Sequence, residues 1–275
     1  MSLIITATDF SATATNAIHY SCNLAIAQRS DVLLIHSFIF PVMFNDLPLP
    51  ATMIDDTQKD AEQKMNILLD NLRSQYYGIN ITGSAIYGNI IDAIDESTEN
   101  SMAPWLIVIG NSNTAENSTW FESTLKEASK MIRFPLLAIP PQVTFKPIRK
   151  ICFAIDNNPK GSDMALVQLR ETVLQLNAQL HIFNSKVNGA EKVNSNLDDH
   201  TKELLLMTDP VYHFEYDTDI DKAIINYNTL NDIDWLVIMP RSHSFIEGLF
   251  HKSHTKTIAE QSEIPILLLH ENDVA

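Results

Sequence analysis

Two stretches of the chain align without a gap, and this internal repeat constrains the fold more than any other feature. WLIVIGNSNTAENSTWFESTLKEASKMIRFPLLAI, from Trp105, matches WLVIMPRSHSFIEGLFHKSHTKTIAEQSEIPILLL, from Trp235. Trp105 and Trp235, Ser123 and Ser253, Lys126 and Lys256, and Pro135 and Pro265 all stand 130 positions apart. Upstream, LIITATDF ending near Asp9 answers KICFAIDN around Asp156, 147 positions on, so the first copy is 17 residues longer between these landmarks. Ser37 and Ser185 follow Asp9 and Asp156 at nearly equal distances, so the extra length falls after them, in the stretch containing FIFPVMFNDLPLPATMIDD. At 275 residues the chain has room for two domains of ordinary size. The copies predict domains at 1–142 and 148–275, joined by PPQVTFKPIRK, where Pro140, Pro141 and Pro147 block helix and favour an extended connection.

Each copy alternates short apolar or β-branched runs with amphipathic ones. The first predicts strands at 3–8, 32–38, 79–86, 105–109 and 136–140, and the second at 150–155, 179–185, 211–216, 235–239 and 265–269. Between them Ala17, Tyr20, Leu24 and Ala27 share a helical face, as do Ala61, Met65, Leu68, Leu69 and Leu72. In the second copy Leu166, Leu169, Val173 and Leu176 do the same. Strands alternating with helices imply right-handed crossovers and an α/β fold: two doubly wound domains, each with a five-stranded parallel sheet covered on both faces. Such sheets bind ligands beyond the carboxyl ends of the strands where strand order reverses, which points to Thr8 and Asp9 after the first strand and Gly110 after the fourth.

Charge narrows the partners. The net charge is -15, from 34 acidic and 19 basic residues. The halves 1–145 and 146–275 carry 15 against 7 and 19 against 12, so both repel phosphate backbones and anionic lipid, and neither nucleic acid nor membrane is expected as a partner. MSLIITATDF lacks a basic leader and no apolar run approaches a membrane span of about 18 residues, so a cytoplasmic protein is expected. Cys22 and Cys152 sit in apolar periodic segments and read as buried thiols.

TDFS at Thr8–Ser11, NAIHYSCNLA, LLIHSF, GNIIDAI from Gly88 and WLIVIG followed by a helix and FPLLAIP resemble the universal stress protein family in its tandem form. The resemblance spans nearly the whole chain. It implies a flavodoxin-like, adenine-nucleotide-hydrolase-like fold and pairing of the two domains through their last strands. A homodimer and an unidentified protein partner are further expectations. Some members of the family bind ATP and others do not.

ATP-binding members share a loop after strand four of the form GxxG, nine residues, then G followed by Ser or Thr. Carried onto the first copy, the pattern falls on Gly110, Asn113, Ser123 and Thr124, with Asp9 at the aspartate that meets the adenine or its surroundings. Glycine suits such a loop because phosphate must approach backbone N–H groups closely and positive φ is free only without a Cβ. Asn enters the left-handed region more easily than other residues, whereas Ser123 adds a side chain where phosphates would lie. Two missing charge-assisted contacts at roughly 1.5–3 kcal/mol each weaken binding about 10² to 10⁴-fold. Thr124 and Glu127 form a capping box, which serves an anion site or a plain helix start equally well. Asp9 likewise suits a ligand, a turn or the N-cap of a helix near Ala12.

In the second copy the four positions become Pro240, His243, Ser253 and His254, with Asp156 at the aspartate and Thr257 in place of Glu127. Pro240 has no N–H to offer, so no ATP binding is expected there. Glu247, His251 and His254, with His243 nearby, have metal-ligand chemistry, but a helix start at 254 breaks their common face and they read as loop and cap residues, with no metal site expected. The sequence holds no GxxxxGK[ST], GxSxG, HExxH or CxxC, and no lysine or arginine stands in the 110–124 loop to neutralise a developing charge. The expectation is a non-catalytic stress-response adaptor with degenerate nucleotide loops and no resident cofactor. The alternative is a nucleotide-gated sensor in which the first domain alone binds ATP or a related nucleotide. Phe38–Phe44, apolar for a loop, either covers its own sheet or offers a partner surface.

Overall fold

The structure, a computed structural model, describes residues 2–40, 51–99, 102–111, 134–155, 163–186, 199–216, 219–239 and 262–269. It falls into two compact units, Met1–Gly110 and Asn111–Ala275.

The first unit is built from β1 (Leu3–Ala7), α1 (Ala12–Gln28), β2 (Asp31–Phe38), α2 (Ala51–Gln75), β3 (Ile81–Tyr87), α3 (Ile90–Glu99) and β4 (Leu106–Gly110). Its strands are parallel in the order β3-β2-β1-β4. Ile4 sits opposite Val32 on one side and Leu106 on the other, so β1 is central and LIITA is buried throughout, as a strand covered on both faces must be. The order reverses between β1 and β4, where the sequence places the ligand-binding crevice.

Ser11 caps α1, its hydroxyl accepting from the Ala14 N–H. At the other end Arg29 takes the left-handed conformation at φ 53°, and the Ser30 N–H reaches back to the Ala25 carbonyl, closing the helix as glycine more often does. Ala17, Tyr20 and Leu24 are buried as their spacing predicts, but Ala27 is exposed. The buried stripe runs instead through Ser21, Cys22 and Ala25, because Thr6 of β1 donates to the Ser21 hydroxyl at 2.8 Å and draws that side of the helix onto the sheet. In α2, Ala61, Met65, Leu69 and Leu72 are buried and Leu68 is half-buried. Gly83 of β3 lies beneath Met65: a Cβ there would stand 2.7 Å from its sulfur.

The second unit comprises β5 (Leu136–Ile139), β6 (Lys150–Ile155), α4 (Asp163–Leu176), β7 (Gln179–Lys186), α5 (Asp199–Leu204), β8 (Val211–Tyr216), α6 (Ile220–Leu230), β9 (Trp235–Ile238) and β10 (Ile266–Leu268). Five parallel strands run in the order β8-β7-β6-β9-β10, the same winding as the first unit carried one strand further. Leu166, Leu169, Val173 and Leu176 form the buried stripe of α4. Beyond β10 lies β5, antiparallel, with Leu137 opposite Leu267. By sequence β5 closes the first copy, which ends at 142, while the compact units part after Gly110.

Asp234 fixes the connection to the start of β6. Buried to 5 % exposure, its Oδ2 accepts from the N–H groups of Arg149 at 2.7 Å and Lys150 at 2.9 Å, while Oδ1 pairs with the Lys146 ammonium at 2.8 Å. Cys22 and Cys152 are free, buried thiols; burial pushes Cys22 up to about 12 and Cys152 strongly upward, so neither is a nucleophile near neutral pH. Among the described residues no helix is long and apolar enough to cross a membrane.

Candidate functional site

The carboxyl end of β1 is a tight turn held by its own polar groups. The Thr8 N–H donates to the Ile35 carbonyl, the Phe10 N–H to the Thr8 hydroxyl at 3.0 Å, and the Ser11 N–H to Asp9 Oδ1 at 2.9 Å. These bonds turn the chain from strand to helix within the four residues Thr8–Ser11. They place Phe10 at φ 63°, a region that costs a bulky side chain roughly 1–2 kcal/mol. His36 of β2 supports the turn from the side: its Nδ1 lies 2.8 Å from the Thr8 carbonyl, and its ring centroid is 4.4 Å from that of Phe10. Thr8 O can only accept, so Nδ1 of His36 carries the hydrogen.

Asp9 is exposed and Thr8 is buried, so the turn presents one carboxylate at the mouth of the strand-order reversal. Of the two structural readings of Asp9, the turn residue is the one realised; the helix cap is Ser11.

Gly110 ends β4 on the other side of the reversal. A Cβ at this position would stand 2.8 Å from the Thr13 carbonyl oxygen and 2.9 Å from its carbonyl carbon. Its φ lies outside the positive range, unlike those of Gly78 and Gly88. The residue is therefore glycine because the first turn of α1 presses on it, not because the backbone needs a left-handed bend. The structure thus brings Thr8, Asp9 and Gly110 together around the start of α1, while Asn113, Ser123 and Thr124 lie outside the described residues, as do Asp156, Pro240, His243, Glu247, His251, Ser253 and His254 of the second copy. Of the apolar stretch Phe38–Phe44, residues 38–40 are described: Phe40 stacks on Tyr87 at 4.5 Å, Phe38 meets both rings edge-on, and Ile39 is exposed. Among the described residues no group of three or more His, Cys, Asp or Glu could hold a metal ion.

Two further residues shape the site, Thr13 and His36. Thr13 has no distinguishing signal, since what matters is its backbone. His36 does: it is a polar side chain directly after the apolar run VLLI, near the carboxyl end of an interior strand.

No protein-family model matches the sequence, and a comparison with curated protein sequences finds no match either. Solved structures do match. A universal stress protein from Archaeoglobus fulgidus covers 99 % of this chain with 97 % of its own, at a TM-score of 0.73 and 15 % identity. A protein of unknown function from Pseudomonas aeruginosa covers 99 % with 94 % of its own, at 0.58 and 15 %. Another from the same species, provisionally assigned to the universal stress proteins, covers 99 % with 94 %, at 0.59 and 14 %. Full-length agreement at so low an identity, together with a repeat in which both copies wind in the same strand order, gives this chain the fold of the universal stress proteins in its tandem form.

Proposed function

We propose that the chain is a cytoplasmic universal-stress-type protein that acts without catalysis, as a stress-response adaptor whose nucleotide loops have degenerated. The observation that carries this reading is the packing of Gly110. A Cβ here would meet the Thr13 backbone within 3 Å, so packing against α1 accounts for the glycine without a phosphate ligand. The other positions of the loop pattern, Asn113 and Ser123, have lost glycine, so this copy offers phosphate one glycine, already committed to packing. Under this reading the copies 1–142 and 148–275 work as a pair that meets partner proteins or a second chain, and the antiparallel pairing of β5 with β10 supports last strands as the element of association.

One observation favours the second reading, in which the first copy binds ATP through Thr8, Asp9, Gly110, Asn113, Ser123 and Thr124. The Asp9 carboxylate is exposed at the strand-order reversal, on a turn rigid enough to hold Phe10 at positive φ. Thermal unfolding with millimolar ATP and Mg²⁺, with mass spectrometry of the purified protein under native conditions, separates the two. The adaptor reading expects a flat response and no co-purified nucleotide. A rise in Tm that disappears in Asp9→Asn, a substitution that keeps an oxygen for the Ser11 N–H, would establish the sensor instead.

A further inference from the structure

In the second unit β7 turns Leu180 and Ile182 to one face and His181 and Phe183 to the other, and all four are buried. A histidine at 5 % exposure in a central strand needs partners for both ring nitrogens. Nε2 lies 3.3 Å from Oε1 of Gln179, which can only accept, so the hydrogen of the neutral ring sits on Nε2. Nδ1 is left with its lone pair and takes the hydroxyl hydrogen of Tyr227, from α6, at 2.9 Å. The Tyr227 ring in turn lies 4.4 Å from His213 of β8, and His213 stacks on Phe183 at 5.3 Å. These contacts tie β7, β8 and α6 together.

The charges around His181 favour its neutral form. Lys150 of β6 faces it with like charge, and Cys152 of the same strand lies close enough to act on Tyr227. From β8, Glu215 is engaged with His213, at 3.3 Å between Oε2 and Nε2. The other carboxyl group of α6 in the buried layer is Asp221, six residues before Tyr227. A proton arriving on Nδ1 makes that nitrogen a donor, so the Tyr227 oxygen must turn from donating to accepting and its hydrogen loses its partner. Burial, and then Lys150, hold His181 below the usual histidine range. The first copy lacks the cluster: at the matching positions it has Leu33, Ser84 and Ser97 in place of His181, His213 and Tyr227.

We propose that the corner formed by β7, β8 and α6 is an acid-sensitive latch confined to the second unit. With His181 neutral, the Tyr227 hydroxyl closes the latch. A solvent proton taken up at Nδ1 breaks that bond and opens the corner while the first unit stays folded.

The direction follows from linkage. The opened ring titrates near the ordinary value of about 6.5 and the closed ring below it, so between the two the open form holds one proton more. The latch has its full strength above about pH 6.5 and loses it as pH falls, by at most about tenfold in the opening constant for each pH unit. Hydrogen exchange of the full chain from about pH 7.5 to 5, with times scaled for intrinsic chemistry, reads this residue by residue. Peptides covering 179–186, 211–216 and 220–230 should gain exchange by up to about tenfold per unit below about 6.5, while those covering 3–7 and 31–38 should not. His181→Gln should flatten the response. Because that variant can fail to fold, the wild-type imidazole resonances supply a second reading: His181 should appear as the Nε2–H tautomer and should titrate in step with the loss of the β7, β8 and α6 amides. Equal opening of the first unit, a pH response that survives His181→Gln, or an Nδ1–H tautomer would each overturn the proposal.

Discussion

At the scale of single residues, Gly110 shows how one letter serves two kinds of chemistry. Glycine after the fourth strand of a doubly wound sheet suits a phosphate cradle, where positive φ and open N–H groups are wanted. Here φ is not in the positive range, and the constraint is the Thr13 backbone, 2.8 Å from where a Cβ would stand. Backbone cannot swing aside as the tip of a side chain can, so Gly110→Ala must push α1 from the sheet. We expect a loss of about 1–3 kcal/mol, measured by urea unfolding with no nucleotide present. An unchanged midpoint would mean that α1 is not seated on β4 and would return Gly110 to the ligand. The Phe10 turn belongs to the same locality: its strain is offset by the bonds from Thr8 and Asp9 and by the His36 ring against it.

At the scale of elements, the clamp made by Asp234 shows a contact that joins positions far apart in sequence. Its side chain accepts from two N–H groups at the entrance to β6 and meets Lys146 besides. Asp234→Ala leaves both N–H groups without their charged acceptor. At roughly 1.5–3 kcal/mol for each such bond, the expected loss is about 3 kcal/mol or more. Lys146→Met, by contrast, removes an ammonium whose side chain is 58 % exposed, and should cost less than about 1 kcal/mol. Equal losses in thermal unfolding would show that the ion pair, not the backbone bonds, holds the connection. The strands themselves were plain in the sequence, 150–155 and 211–216 to the residue, because a short apolar run between turn residues has few other solutions. Helix faces were less plain. Ala27 satisfies the helical period as well as Ala25 does, and the buried pair of Thr6 with Ser21 decides between them. Asp234 carried no signal, since an acidic residue before a strand is common and its partners lie more than 80 positions away.

At the scale of the whole molecule the repeat made the fold and its doubling legible. The 130-residue spacing ends the first copy after its last strand, at 142, but β5 lies against β10, Leu137 opposite Leu267, with Leu136, Leu137 and Ile139 wholly buried. A strand at the end of a parallel sheet leaves a row of N–H and C=O groups open, and an apolar edge of that kind promotes association with other chains. In the second unit β5 occupies the edge of β10. Removing it takes away backbone bonds along that edge and uncovers apolar side chains each worth about 1.5–3 kcal/mol when buried. Two truncated chains, 134–275 and 143–275, differ by β5 and the turn after it, and both keep Lys146 for Asp234. The longer should unfold cooperatively. The shorter should unfold at least several degrees lower, read by thermal unfolding of both chains at matched concentration. If the shorter chain were as stable as the longer, β5 would contribute nothing to the stability of the second unit.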